Sequence, residues 1–392
     1  MVSVEPDGGR PRPNAVRIAV AVVLLLVAGC GTPTSNGVST NGDGTGTWHK
    51  LSAPPLSPRQ GAITAWTGTE ALFLGGDTGP PCPPSADCTL PQARARDGAA
   101  FDPERDRWRR TALAPVPLEP YASRAVIGDE VWVVAAGALL SYDASADAWA
   151  THRAPSSLPD YGQVVSDGGR IVVVRSERHS SDDPDQVYDT QAKTWSHLPA
   201  DPLDPAFGRM LTATSAGLVL TGHDLVAQPG SDKPSFVRAA LLAPDSDRWK
   251  QLTDSDQLGG GQWTWTGKRM VDPTPGGADG GEVNGYGRTI PSGGILDPVT
   301  DEWSRLPHPP KYLTGGWGVE ALAGPLAAGA GWIYDDRDQT WTKVPRPADG
   351  PSRAGSAVWA GEQLIALGGV DDDAGYTIKA LSRDAWIYDR ST

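Results

Sequence analysis

After residue 30 the chain has almost no stretch in which apolar residues recur at the helical period. Short apolar runs instead alternate with clusters of Gly, Pro, Asp and Ser, the pattern of brief strands joined by turns. The clearest unit is Gly331-Trp332-Ile333-Tyr334-Asp335-Asp336-Arg337-Asp338-Gln339-Thr340-Trp341. It reads as a strand ending in Tyr-Asp, a polar turn, and a strand opening with Trp. Variants recur at Phe101-Asp102 to Trp108, Tyr142-Asp143 to Trp149, Tyr188-Asp189 to Trp195, Pro244-Asp245 to Trp249 and Leu296-Asp297 to Trp303. Asp suits such turns because its carboxylate accepts a hydrogen bond from backbone two residues on. The pattern predicts an all-β protein.

Trp48, Trp108, Trp149, Trp195, Trp249, Trp303 and Trp341 mark a repeat with intervals of 60, 41, 46, 54, 54 and 38 residues. A period of about 40–50 residues with several short strands per unit signals the blades of a propeller. One such sheet cannot bury both of its faces, so the units must close into a ring. The first unit carries Pro58-Arg59-Gln60-Gly61-Ala62-Ile63-Thr64-Ala65-Trp66, a Gly68 turn, Ala71-Leu72-Phe73-Leu74-Gly75-Gly76, a long loop, and Ala99-Ala100-Phe101-Asp102. The last repeats it with Ser352-Arg353-Ala354-Gly355-Ser356-Ala357-Val358-Trp359, Gly361, Leu364-Ile365-Ala366-Leu367-Gly368-Gly369 and Ala385-Trp386-Ile387-Tyr388-Asp389.

These units resemble the kelch repeat of kelch and galactose-oxidase-like β-propellers. The resemblance spans roughly residues 47–389. It is strong at both ends and degenerate between, where Ala135-Ala136-Gly137, Val173-Val174 or Thr221-Gly222 stand in place of Gly-Gly. It implies four strands per blade. Thr47-Trp48-His49-Lys50-Leu51 has no Tyr-Asp before it, and Tyr388-Asp389 has no Trp after it. Joining them gives a seven-bladed propeller over residues 47–392, closed by the N-terminal strand as the outer strand of the last blade. The weak units around residues 150–190 and 310–335 leave six or eight blades open. The loops between second and third strands should crowd one face, and those at residues 77–97, 222–236, 272–291 and 370–382 are long. Long loops on one face are where such rings carry function.

Residues 1–29 are set apart. Arg10, Arg12 and Arg17 precede the apolar run Ile18 to Ala28, which is too short to span a bilayer comfortably. The run ends Leu26-Val27-Ala28-Gly29-Cys30, which resembles the lipobox of a bacterial lipoprotein signal peptide. That resemblance implies cleavage before Cys30 and its acylation, with palmitate-type chains holding the protein on the outer side of the cell membrane. Two chains anchor stably where one does not. Residues 31–46 are almost all Gly, Ser, Thr and Asn, with Val38 their one aliphatic side chain besides Pro33, and read as a flexible tether. Cys82 and Cys88, in Cys-Pro-Pro-Ser-Ala-Asp-Cys, are expected to pair as a loop disulfide in an exported protein. The formal charge of -13 argues against nucleic acid as a partner, because displacing counterions needs clustered cations.

Candidate chemistry is sparse. Arg59, Arg209 and Arg353 each precede an innermost strand, with Arg124 in a shifted register. They could form an anion or sugar-acid site at the central channel, since a guanidinium forks onto a carboxylate. They could equally be the usual arginines of the repeat, bonded to blade carbonyls and acidic neighbours. Trp263 and Trp265 with Tyr286 and Arg288 could stack a sugar or pack in the core. Asp371-Asp372-Asp373 offers oxygens for calcium, although three consecutive Asp do not converge, and a solvated acidic loop is the simpler reading. The histidines are scattered, with His179 and His223 on loops. The two tyrosines, two histidines and linked cysteine of galactose oxidase have no counterpart, nor do sialidase turns, phosphate loops or a nucleophile elbow. No cofactor or metal is called for. The sequence points to a membrane-anchored extracytoplasmic module binding or scaffolding an envelope protein or carbohydrate. The alternative is an extracytoplasmic carbohydrate-active enzyme, of epimerase or oxidase kind, working at the channel mouth.

Overall fold

The structure, a computed structural model, describes residues 46–80, 93–156, 158–159, 162–177, 184–224, 235–244, 246–259, 262–274, 281–283, 289–307, 316–372 and 378–390. They form a seven-bladed β-propeller of antiparallel sheets, without a helix among the described residues. From the innermost strand outward, blade 1 is Ile63–Trp66, Ala71–Leu74, Gly98–Asp102 and Arg107–Arg110. Blade 2 is Arg124–Ile127, Glu130–Ala135, Ala138–Asp143 and Ala148–His152, and blade 3 is Gln163–Asp167, Arg170–Val174, Gln186–Asp189 and Thr194–His197. Blade 4 is Ala206–Thr214, Gly217–Asp224, Arg238–Leu242 and Lys250–Gln251. Blade 5 is Thr264–Trp265, Met270–Asp272, Gly294–Asp297 and Glu302–Ser304, and blade 6 is Ala321–Ala323, Leu326–Gly329, Trp332–Asp335 and Thr340–Lys343. Blade 7 is Arg353–Ala360, Gln363–Asp372, Ala385–Asp389 and, outermost, Thr47–Lys50.

The N-terminal strand therefore closes the ring, pairing Trp48 with Tyr388 and Lys50 with Trp386 in antiparallel register. Two long loops carry structure of their own. That of blade 5 contains the hairpin Gly281–Val283 with Thr289–Pro291. In blade 7 the second strand runs on past its Gly-Gly, and Ile378–Leu381 pairs with the extension.

The repeated motif has a physical cause at each position. The aromatic of the third strand packs on the Trp of the fourth, at centroid distances of 4.8 Å for Phe101–Trp108, 5.2 Å for Tyr142–Trp149 and 5.0 Å for Tyr334–Trp341. The indole N–H then donates to a carbonyl in the link from the preceding blade: Trp108 to Ser52, Trp149 to Ala112, Trp249 to Pro199, Trp303 to Thr253, Trp341 to Pro307 and Trp48 to Pro345. The Asp accepts backbone N–H groups of its own turn, as Asp143 does from Ser145 and Ala146 and Asp189 from Gln191 and Ala192. Four residues after that Asp the backbone turns left-handed, at Asp106, Asp147, Lys193, Asp301 and Gln339. Seven apolar clusters result, one in each interface between neighbouring blades. Each buried aromatic thus glues two blades, and the ring has no single central core.

A charged latch sits where the two chain ends meet. Asp335, nearly fully buried, accepts Arg337 at 2.6 Å and Arg390 at 2.9 Å, and both guanidiniums also reach Glu362. Burial would raise the Asp335 pKa, but the hydrogen bonds from Arg337 and Arg390 outweigh it and hold it at about 2. A folded value below the unfolded value of about 3.9 stabilises the fold above roughly pH 4. That contribution, of order 2 kcal/mol, fades as pH falls toward 2. Thermal melts of wild type and Asp335→Asn should therefore differ at pH 6 and converge near pH 2.5. A gap that stays constant across that range would rule the latch out.

Candidate binding site at the channel mouth

In every blade the turns between first and second strands and between third and fourth strands lie on one face. The segments between second and third strands, and the links between blades, lie on the other. The innermost strands begin on this second face, so their first residues surround the mouth of the central channel. Thr47 and Asp389, paired in the closing blade, mark the opposite face.

The four arginines proposed for this mouth have different fates. Arg59 has a side chain with no exposure, and every N–H is used: Nε to the Ser57 carbonyl, Nη1 to the Gly75 carbonyl and Asp97, Nη2 to Ser57 Oγ and Asp97. It has no donor left for a ligand. Arg209 is equally buried, held between Asp185 at 2.6 Å and Asp201 at 3.0 Å, with Nη1 also on the Arg175 carbonyl. These two are structural clamps. Arg353 is half-exposed and pairs with Asp372 at 2.9 Å, while its Nη2 is buried with no hydrogen-bond partner. The Arg124 side chain has no hydrogen bond or ion pair among the described residues and is solvent-exposed at the start of the blade 2 inner strand. The surrounding protein nevertheless desolvates it, pushing its pKa below the ordinary guanidinium value.

Beside it stands Tyr121, 72% exposed. Its backbone is left-handed, with φ of 61°, which is strained for a bulky residue. Its N–H donates to the Gly61 carbonyl at 2.8 Å and its ring lies over Gly61, where a Cβ would approach the ring to 2.7 Å. Gly61 is thus required for the ring to lie flat there. Tyr121 is in electrostatic reach of Arg353, Asp77 and Glu320. Burial, aided by Asp77 and Glu320 and opposed by Arg353, raises its phenol, so it remains a proton donor at neutral pH. Glu320 is exposed, without a partner among the described residues, immediately before the blade 6 inner strand. In blade 4, Phe207 stacks on His223 at 5.2 Å, and His223 Nε2 bonds the Leu258 carbonyl while its Nδ1 is buried without a partner. The loop face therefore presents an unpartnered guanidinium, an unpartnered carboxylate, a phenol donor and exposed aromatic rings.

The remaining sequence candidates do not join this group. Trp263 is buried between blades 4 and 5, edge-on to Trp303 at 5.9 Å, so its ring offers no stacking surface. Tyr286, Arg288, Cys30, Cys82 and Cys88 lie outside the described residues. Asp372 is committed to Ser352 and Arg353, and Asp373 lies outside the described residues. Among the described residues no three His, Cys, Asp or Glu side chains group to hold a metal ion. Tyr121 and Glu320 escaped the sequence reading because both sit in links between blades. The signal available for Tyr121 was its place after Pro120, just before an inner strand. No family model matches this chain, and no curated protein matches it.

Proposed function

We propose that this protein is a kelch-type propeller, tethered outside the bacterial cell membrane by an acylated Cys30, that binds an envelope glycan or protein at its channel mouth. One observation carries the binding role. Arg124 and Glu320 stand without a side-chain partner among the described residues around a channel mouth where Tyr121 is held exposed in a strained conformation. Backbone strain of this kind persists where the surroundings impose it, and it clusters at binding sites. A saccharide with a carboxylate suits this set best: the guanidinium takes the carboxylate, the phenol and Glu320 take hydroxyls, and the rings take a sugar face. The anchor rests on the charged, apolar and Cys-terminated N-terminal segment.

The test is a glycan array probed with the residue 46–392 protein. Arg124→Ala should lower affinity for the best acidic glycan at least about tenfold with no change in melting temperature. Tyr121→Asn should do the same while melting at an equal or higher temperature, because Asn accepts a left-handed backbone. Variants that bind as wild type would dismiss the mouth as the site. Mass spectrometry of the membrane fraction should find two or three acyl chains on Cys30, and Cys30→Ala should abolish the attachment.

A further inference from the structure

Blade 2 differs from its neighbours on the loop face. Residues 75–97 join second to third strand in blade 1, and residues 175–185 do so in blade 3. In blade 2 the join is only Ala136-Gly137, both left-handed, the geometry of a two-residue hairpin that follows the twist of the strands. Beside this short hairpin lies a notch of about 570 Å³. That lies within the range of roughly 300–1,000 Å³ typical of ligand sites. Its floor is the hairpin with Val116, Leu140 and Pro155, all small or aliphatic. No aromatic ring lines it, so it lacks a platform for a sugar.

Its electrostatics are opposite to those of the chain. The sequence carries 47 Asp and Glu against 34 Lys and Arg, yet among the described residues no carboxylate lines the notch. Arg153 does, exposed and with no hydrogen bond or ion pair among the described residues. On the blade 1 side Arg96 donates Nε to the Ala114 carbonyl at 2.7 Å, next to the lining residue Pro115, and its other N–H groups have no partner among the described residues. An apolar floor flanked by unspent guanidiniums matches a ligand with aliphatic groups beside a carboxylate.

We propose that this notch binds an extended peptide segment in which a carboxylate side chain is flanked by small aliphatic residues. Arg153 forks onto the carboxylate and the aliphatic side chains lie on the Ala138 and Leu140 floor. The site is separate from the channel mouth and does not depend on what binds there.

Fluorescence anisotropy on the residue 46–392 protein tests this, with a labelled Ala-Leu-Glu-Val-Glu-Ala peptide and its Lys-for-Glu counterpart as probes. The acidic peptide should bind at least about tenfold more tightly than the basic one, with the gap narrowing as salt rises. Arg153→Ala should weaken it about tenfold at unchanged melting temperature, Arg153→Lys should restore part, and Ala138→Phe should block the floor. Arg124→Ala should change nothing. Equal binding by wild type and Arg153→Ala, equal binding of both peptides, loss on Arg124→Ala, or displacement of the peptide by an equal concentration of decanoate would each overturn the proposal.

Discussion

A chain that begins at Ser52 is expected to lose cooperative folding, whereas one that begins at Gly46 should melt in a single transition. The difference is the strand Thr47–Lys50, which completes blade 7 from the far end of the sequence. Without it, Ala385–Asp389 becomes an open edge with unpaired backbone groups, a template for aggregation. Trp48 is the central contact. Its ring meets Trp317 at 5.1 Å and Tyr388 at 5.0 Å, and its N–H bonds the Pro345 carbonyl at 2.6 Å. It therefore ties blade 7 to the link leaving blade 6. Trp48→Ala alone should cost about 3 kcal/mol, from lost aromatic burial and a stranded carbonyl. At about 2–4 °C per kcal/mol for a large domain, that is a fall of roughly 6–12 °C in melting temperature. Equal melting of the chains starting at Gly46 and Ser52 would show that the strand is not part of the stable ring.

This closure was legible in the sequence because each blade spends its motif the same way. A strand ending in Tyr-Asp needs a Trp strand to receive its aromatic face and to cover its edge. One such strand lacked its Trp at one end of the chain, and one Trp strand lacked its Tyr-Asp at the other. The blade count followed from the same logic, since the outer Trp reports its blade even where Gly-Gly has drifted to Ala136-Gly137 or vanished. Blade 5 retains Trp303 although its inner strand has shrunk to two residues.

The site was harder to read because an arginine's sequence position does not reveal its partners. Arg59 and Arg209 look alike in the sequence, and the Asp residues that occupy them lie 38 and 24 positions away, each immediately before a third strand. Arg124 has no side-chain partner among the described residues, and Gly137 stands before the third strand of its blade where Asp97 and Asp185 stand in blades 1 and 3. The short join of blade 2 was visible as Ala135-Ala136-Gly137 running into the next strand. It opens the notch beside blade 2, where Arg153 lies.

The consumed arginines should behave as framework, and Arg209 most severely. Its guanidinium, without exposure, faces two carboxylates that are 3% and 1% exposed, those of Asp185 and Asp201. Asp185 also accepts the Arg175 N–H and Asp201 the Leu203 N–H, so the clamp is tied to backbone as well. Arg209→Ala takes a buried guanidinium away from two buried carboxylates and should cost about 4 kcal/mol. Asp201→Asn keeps the shorter Asp185–Arg209 pair, so it should cost only about 1 kcal/mol. The pH dependence distinguishes charge from packing. Losing a neighbouring guanidinium makes a buried carboxylate bind a proton more readily than before, so the penalty of the substitution grows as pH rises and shrinks on acidification. The melting deficit of Arg209→Ala should accordingly be smaller at pH 4.5 than at pH 7.5, while that of Asp201→Asn stays nearly level. If the two variants proved equally destabilised at both pH values, the cluster would owe its stability to packing, and the contrast between the clamped Arg209 and the free Arg124 would lose its electrostatic basis.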